Sequence, residues 1–195
     1  MDKLFLGLFL CVFFFSCKEN VKESVVNEPT LIEDTVVSND SISSVLEEKR
    51  QAIDFKLEDV NGKTKTLEDY RGKLVLMDIW ATWCGPCLAN VPYIKELEEK
   101  YKNENFEVLS ISIDTLKDKE KWKEMIKAKQ MAGEHLFAGA ESRFPLDYQI
   151  SFIPRFILIS PDGKILNNDA PQVINMEGNG INEELIAIID QNLKK

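Results

Sequence analysis

An apolar, β-prone run in the middle of the chain leads directly into a helical pattern. The run, Leu74–Trp80, is apolar except for Asp78. After it, apolar residues recur at the three- and four-residue spacing of one helix face, at Leu88, Val91, Ile94, Leu97 and Tyr101. We therefore predict a core strand followed by a helix over residues 84–101, in which Pro92 kinks the axis because it removes one hydrogen bond.

The flanking segments predict further strands and helices. Apolar and polar residues alternate over residues 53–57, which is typical of a half-buried strand, and Asn61-Gly62 is a hairpin signal. Thr66 can cap a short helical turn that Gly72 closes. Strands that alternate with helices, together with two hairpins, predict an α/β domain with a mixed central sheet.

Later elements follow from the same periodicities. We predict strands over residues 106–113 and 156–160, and a turn with its return strand over residues 161–166. We predict helices over residues 118–130 and 182–193. Residues 131–150 show little periodicity, and residues 167–180 are expected to form a loop. His135 has no other ligand-type cluster around it, so we expect it to be structural rather than catalytic.

Two cysteines, Cys84 and Cys87, stand where the core strand meets the helix. Cys84 would lie at the helix start, where free backbone N–H groups and the positive dipole end favour a thiolate, the nucleophile of thiol–disulfide exchange. We expect its sulfur to be exposed, and Cys87, nearly one turn later, can close a disulfide onto it. Half of a zinc site is the alternative, but the chain has one His and no second Cys-x-x-Cys.

The residues around the cysteines resemble a known superfamily. The sequence Trp-Cys-Gly-Pro-Cys at residues 83–87 is similar to the active site of thioredoxins, and residues 79–87 together resemble the TlpA/ResA branch of membrane-tethered thiol–disulfide oxidoreductases. The resemblance implies that residues 51–195 form a thioredoxin fold, with a β-hairpin extension at the N-terminal end of this domain. It also implies that residues 131–150 are the segment that this branch inserts within the thioredoxin framework.

The resemblance implies roles for individual residues. Cys84 and Cys87 would form the redox-active disulfide, and a buried Asp78 with a raised pKa would help to deprotonate Cys87, the alternative being an outward-facing strand residue. The Ile153–Pro154 bond would be cis and would face the disulfide, the alternative being a trans proline at a strand start. The implied substrate-binding residues are Trp83, Gly85, Pro86, Ile153 and Pro154.

Two positions depart from the resemblance. Arg155 stands where a thioredoxin has a small hydroxyl residue, and it either stabilises a thiolate and steers acidic partners or is an exposed surface side chain. Asn90 stands three residues after Cys87, where the TlpA/ResA branch often has Glu. Because an amide cannot titrate, the proton relay would rest on Asp78 alone.

The N-terminus has the pattern of an export signal. Lys3 precedes an apolar run over residues 4–15, which is too short to span a bilayer comfortably. The sequence resembles a bacterial lipoprotein signal, in which residues 1–16 are removed and Cys17 is lipidated; a non-lipidated secretory signal and an uncleaved anchor are the alternatives. Residues 17–50 contain 8 acidic and 4 basic residues and no aromatic one, so we expect a flexible tether.

Composition narrows the possible partners. The net charge of −9 and the pI of about 4.8 argue against nucleic acid and against electrostatic binding to anionic lipid. With 44% hydrophobic and 29% charged residues, the chain is otherwise typical of globular proteins. No cofactor and no metal are expected, because two thiols suffice for disulfide exchange.

These features predict a protein-disulfide reductase in the cell envelope, with its domain on the periplasmic or extracellular side. Gly85-Pro86 resembles the reducing thioredoxins more than the oxidising DsbA type, so the expected partners are disulfide-containing proteins and a membrane electron donor of the DsbD/CcdA type. Reduction of apocytochrome c for haem attachment is one role that the resemblance implies.

Two other functions remain open at this point. One is a thiol peroxidase of the AhpC/TSA-like class, although the Pro-x-x-x-Thr-x-x-Cys spacing of peroxiredoxins is absent around Cys84. The other is a non-enzymatic, lipid-anchored binding module that uses the groove beside Pro154.

Overall fold

The computed structural model describes residues 50–194. The predicted signal peptide, Cys17 and all but the last residue of the predicted tether lie outside the described residues. Among the residues described, no helix combines the length and the apolar character needed to cross a bilayer.

The described residues form one mixed sheet. Its strands are β1 (Lys56–Asp59), β2 (Thr64–Thr66), β3 (Leu74–Trp80), β4 (Phe106–Ser112), β5 (Glu134–Phe137), β6 (Arg155–Ile159) and β7 (Ile165–Ala170). They lie in the order β2-β1-β5-β4-β3-β6-β7. β3 is parallel to β4 and antiparallel to β6, and β4 is parallel to β5. The predicted α/β class with a mixed sheet and an N-terminal hairpin is confirmed.

Helices connect and cover these strands. The α-helices are α1 (Gly85–Lys100), α2 (Lys119–Lys129), the single turn α3 (Phe144–Asp147) and α4 (Glu183–Leu193), and two 3₁₀ helices span Leu67–Tyr70 and Leu116–Asp118. Pro92 lies inside α1, as predicted. The Asn182 side chain accepts a hydrogen bond from the Glu184 N–H at 3.0 Å and so caps α4, also as predicted.

β3 is the centre of the core, and all seven of its residues are buried. Alternate side chains of a strand point to opposite faces. Met77 and its alternate neighbours on β3 therefore share one face with Phe144 and Tyr148, whereas Leu76 faces Leu97 of α1 and Leu185 of α4. Burial on both faces explains why β3 is a continuous apolar run rather than an alternating one.

No strand or helix was predicted over residues 131–150, and their assignment as an inserted segment stays a prediction. They contain β5, which lies inside the sheet between β1 and β4, as well as α3. β5 has only four residues and begins with Glu134 and His135, so no apolar periodicity marks it. Its structure comes from pairing with both neighbours, which places Leu136 in the core.

Two strand boundaries also differ from their predictions. β1 begins at Lys56 rather than at residue 53, and Ile53 is exposed. β7 continues to Ala170 through a polar stretch that was expected to be a loop. β7 is an edge strand, so polar side chains there reach solvent while the backbone pairs with β6.

Substitution of Trp122 in α2 tests how this helix packs on the sheet. The side chain is fully buried, and its ring centroid lies 5.3 Å from that of Phe137 in β5. Trp122→Ala leaves a large cavity, so we expect a loss of about 3–5 kcal/mol in the free energy of unfolding, measured by urea denaturation. Met176→Ala is the control, because Met176 is 99% exposed; equal denaturation midpoints for the two variants would refute this packing role.

Candidate active site

A disulfide joins Cys84 to Cys87 across the first turn of α1, with their Cα atoms 5.3 Å apart. Cys84 is the N-cap residue of the helix, and its Sγ accepts a hydrogen bond from the Cys87 N–H at 3.2 Å. A backbone donor at a helix N-terminus is thus directed at this sulfur, which is the arrangement that favours a thiolate when the disulfide is reduced.

The expected exposure of Cys84 is wrong for this oxidised form. Only 5% of the residue is accessible, and Cys87 is 3% accessible. Both belong to a cluster that includes Trp80, Trp122 and Phe137. The pair is nevertheless close to the surface, because the residues that flank Cys84 in the chain, Trp83 and Gly85, are exposed, as is Pro86.

The segment before β6 approaches the same cluster. The Ile153–Pro154 peptide bond is cis, as the resemblance implies, and Ile153 packs partly buried against the cluster that contains the cysteines. Phe152, directly before it, is 54% exposed. Two exposed aromatic side chains thus adjoin the site in the chain: Trp83 directly precedes Cys84, and Phe152 directly precedes the cis-proline segment.

Asp78 lies buried in β3, and only 3% of it is accessible. Its Oδ2 accepts a hydrogen bond from the Ser110 hydroxyl at 3.2 Å, while its Oδ1 has no hydrogen-bond partner within residues 50–194. Burial raises the pKa of Asp78 to about 7, and the Ser110 hydrogen bond offsets part of that rise. The Asp78 carboxyl is thus buried, on the sheet face that α1 covers. The sequence analysis preferred this arrangement over an outward-facing side chain.

Of the two predictions for Arg155, the exposed surface side chain is wrong, and a role toward a thiolate or acidic partners stays a prediction. It is 8% accessible rather than exposed, and its Nε donates a hydrogen bond to the Asn168 carbonyl of β7 at 2.6 Å. The Asp169 carboxylate lies 3.5 Å from the same nitrogen, and the guanidinium carbon lies 5.0 Å from the centre of the Phe152 ring. Arg155 therefore contacts β7 through a hydrogen bond and Phe152 through a cation–π contact.

Asn90 is fully buried between α1 and the loop after β7. Its Oδ1 accepts the Ile174 N–H at 2.9 Å, and its Nδ2 donates to the Pro86 carbonyl at 3.2 Å and to the Gln172 Oε1 at 3.4 Å. The side chain thus joins the first turn of α1 to a distant loop. It supplies no titratable group, in agreement with the sequence analysis.

His135 of β5 is buried. Burial lowers its pKa, so the neutral imidazole is favoured. Within residues 50–194, no group of three or more His, Cys, Asp or Glu side chains is arranged to hold a metal ion.

Sequence reasoning missed a buried carboxylate beside the motif. Asp114, just after β4, is fully buried and accepts hydrogen bonds from Thr82, which immediately precedes Trp83 and Cys84. A signal was available: Asp114 follows a predicted strand adjacent to the core strand, and in open α/β sheets functional residues gather at the carboxyl ends of parallel strands.

Comparison with known proteins identifies the class. Residues 47–185 match the family model described as Redoxin. Over 127 residues the chain is 28% identical to the thiol-disulfide oxidoreductase ResA of Bacillus cereus, an alignment that covers 60% of this chain and 66% of that protein, slightly less than two thirds.

Solved structures agree with this result. A candidate thiol-disulfide oxidoreductase from Bacteroides vulgatus matches with a TM-score of 0.65 and 32% identity, covering 74% of this chain and 96% of that one. A thiol-disulfide oxidoreductase from Bacteroides fragilis matches with a TM-score of 0.62 and 29% identity, covering 73% of this chain and 98% of that one.

The sheet, the disulfide at the start of α1 and the solved neighbours define a protein of the thioredoxin superfamily. The chain belongs to the Redoxin family, because the family match covers more than half of its residues. The predicted similarity to ResA is confirmed by the aligned relative.

The buried carboxyl of Asp78 predicts a pH-dependent stability. Its folded pKa of about 7 lies above its ordinary value of 3.8, so its favourable contribution is complete below about pH 4 and is lost as the pH rises through 7. We expect Asp78→Asn, a neutral replacement, to gain on the order of 3 kcal/mol relative to wild type between about pH 4 and about pH 8, measured by urea denaturation.

Asp59→Asn is the control for this test. The Lys63 N–H and, to a smaller extent, the Asn61 N–H lower the pKa of Asp59, so this variant should lose stability relative to wild type as the pH rises from the acid range. A stability difference between Asp78→Asn and wild type that does not vary with pH would contradict the assignment.

Proposed function

We propose that this protein is a thiol–disulfide oxidoreductase that reduces disulfides in proteins outside the cytoplasm. The observation that carries the proposal is the Cys84–Cys87 disulfide across the first turn of α1, with the Cys87 N–H directed at the Cys84 sulfur. The residues Gly85-Pro86 between the cysteines support the reducing direction by their resemblance to reducing thioredoxins.

The reaction begins from the reduced protein. The Cys84 thiolate attacks one sulfur of the substrate disulfide, forms a mixed disulfide and releases the other substrate sulfur as a thiolate, which takes up a proton. Cys87 then loses its proton and attacks the Cys84 sulfur. This breaks the mixed disulfide and leaves a fully reduced substrate and the Cys84–Cys87 disulfide, so that two electrons pass from the protein to its substrate.

Asp78 is the candidate proton acceptor for Cys87. Its pKa of about 7 suits a group that exchanges a proton near neutral pH. Its Oδ1, which has no hydrogen-bond partner in the described part of the chain, would accept the proton directly or through a water molecule. Asn90, fully hydrogen-bonded between α1 and the loop that follows β7, does not compete for this role.

Substrate would bind along the rim beside the disulfide. Trp83, Gly85 and Pro86, which are exposed, would form the outer side of this rim, and the half-buried Ile153 and Pro154 would form its inner side. Proline has no backbone N–H, and the main-chain groups of Ile153, which lies just before β6, would pair with a substrate segment held in the manner of an added strand.

The cellular setting is part of the proposal. Cys17 would carry a lipid that anchors the domain to a membrane, through a tether over residues 17–50, on the periplasmic or extracellular side. A reductase outside the cytoplasm needs a membrane electron donor, for which the DsbD/CcdA type is our candidate. Apocytochrome c, whose haem-attachment motif is a Cys-x-x-Cys-His pair of thiols, is a candidate substrate.

The two cysteines have distinct roles that substitution separates. We expect Cys87→Ser to accumulate a mixed disulfide through Cys84 and to lose essentially all turnover, because no neighbouring thiol resolves the intermediate. The substrate is an oxidised peptide with a Cys-x-x-Cys-His motif, and non-reducing electrophoresis with mass spectrometry gives the readout.

Cys84→Ser is the matched control, and it should form no mixed disulfide. An equal rate for wild type with a scrambled peptide that carries the same disulfide would indicate a general reductase rather than one directed at haem-attachment motifs. If Cys84→Ser traps the peptide as well as Cys87→Ser does, the assignment of the nucleophile is wrong.

The direction of the reaction follows from the reduction potential. We expect a potential nearer to the roughly −270 mV of thioredoxin than to the roughly −120 mV of DsbA. Equilibration with glutathione buffers, read by mass tagging of free thiols, measures it. A potential close to that of DsbA would make the protein an oxidant and reverse the proposed direction.

A further inference from the structure

The Asp114 carboxylate forms a saturated hydrogen-bond network beneath the active-site loop. Its Oδ1 accepts the Thr82 hydroxyl at 2.8 Å, and its two oxygens lie 3.1 and 3.0 Å from the Thr82 backbone nitrogen. Its Oδ2 also accepts the Ser112 hydroxyl at 2.8 Å. In each of these contacts the carboxylate only accepts, and all three residues are at most 5% accessible.

Asp114 is itself held in place by the backbone. Its N–H donates to the Ser112 hydroxyl oxygen at 3.0 Å, and its carbonyl accepts the Ala140 N–H at 3.0 Å. The Asp114 carboxylate is therefore held at the carboxyl end of β4, and it contacts the active-site loop from there. Loss of one of these hydrogen bonds would strongly lower the free energy of unfolding, because a buried acceptor that loses its donor keeps its full desolvation cost.

The fixed loop leads directly to the reactive sulfur. Thr82 is two residues before Cys84, so their Cα atoms lie within about 7 Å of each other. The Cys84 N–H donates to the Ala81 carbonyl at 3.0 Å, and the Ile113 N–H donates to the Trp80 carbonyl at 2.9 Å. Together with the Asp114 contacts, these bonds restrain every residue between the end of β3 and the N-cap except Trp83.

We propose that Asp114, acting through Thr82, is a positioning residue that sets the stability of the Cys84–Cys87 disulfide. The inference rests on the proposed exchange function and adds to it a determinant of the redox equilibrium. Closing a disulfide requires the two sulfurs to meet, and a loop that is already ordered makes this less costly in entropy.

The test measures the equilibrium of the Cys84–Cys87 pair with dithiothreitol. In the oxidising direction the two thiols give two electrons and two protons to oxidised dithiothreitol, which becomes the dithiol. Asp114→Ala should reduce the equilibrium constant for closing the protein disulfide at least about tenfold, which makes the potential about 30 mV less negative. Thr82→Val, which removes only the hydroxyl donor, should shift it in the same direction by a smaller factor.

Two further variants separate positioning from general stability. Thr82→Ser keeps the hydroxyl donor and should restore the equilibrium constant to within about threefold of wild type. Asp59→Ala is the matched control, because Asp59 is also a buried carboxylate that accepts two backbone N–H groups, from Asn61 and Lys63, in the β1–β2 turn. It should lower the melting temperature without changing the redox equilibrium.

Each outcome decides the proposal. It is overturned if Asp114→Ala and Thr82→Val change the equilibrium constant no more than Asp59→Ala does. If Asp114→Ala does not fold, a difference between Thr82→Val and Thr82→Ser supports the proposal and equality between them overturns it. Because dithiothreitol reports on the disulfide itself, a wild-type protein that fails to reduce any substrate disulfide would refute the proposed function while leaving this result intact.

Discussion

The hydrogen bond from the Cys87 N–H to the Cys84 sulfur depends on an abrupt change from a buried strand to a helix within four residues. β3 is covered on both faces and cannot shift, so it fixes where the chain leaves the sheet. The helix must begin where the strand ends for its free N–H groups to meet the sulfur. The cis-proline segment and the Asp114 network are both placed around this junction.

Two buried carboxyls near the junction differ in their surroundings. Asp78 accepts one hydrogen bond from Ser110 and has one oxygen without a partner among the residues described, and burial raises its pKa toward neutrality. Asp114 has donors on both oxygens. The under-satisfied carboxyl of Asp78 suits proton exchange, whereas the saturated carboxyl of Asp114 suits holding the loop that contains Thr82.

Much of this arrangement was accessible from the sequence because it is local. The apolar run of β3, the helical spacing of α1 and the capping residue Asn182 each carry their own signal. β5 carries none, because four residues that start with Glu134 become a strand only by pairing on both sides. The burial of Cys84 and the hydrogen-bond partners of Asp114 depend on residues far apart in the chain, so no local pattern revealed them, although the position of Asp114 after a predicted strand was a signal.

Both edges of the sheet are poor templates for adding another chain. β2 has three residues, Thr-Lys-Thr, and β7 presents the polar residues Asn168 and Asp169 to solvent. Short or polar edges discourage edge-to-edge association between sheets. Neither edge of this sheet therefore readily accepts a strand from a second copy of the chain, which lowers the tendency of the folded domain to aggregate at high concentration.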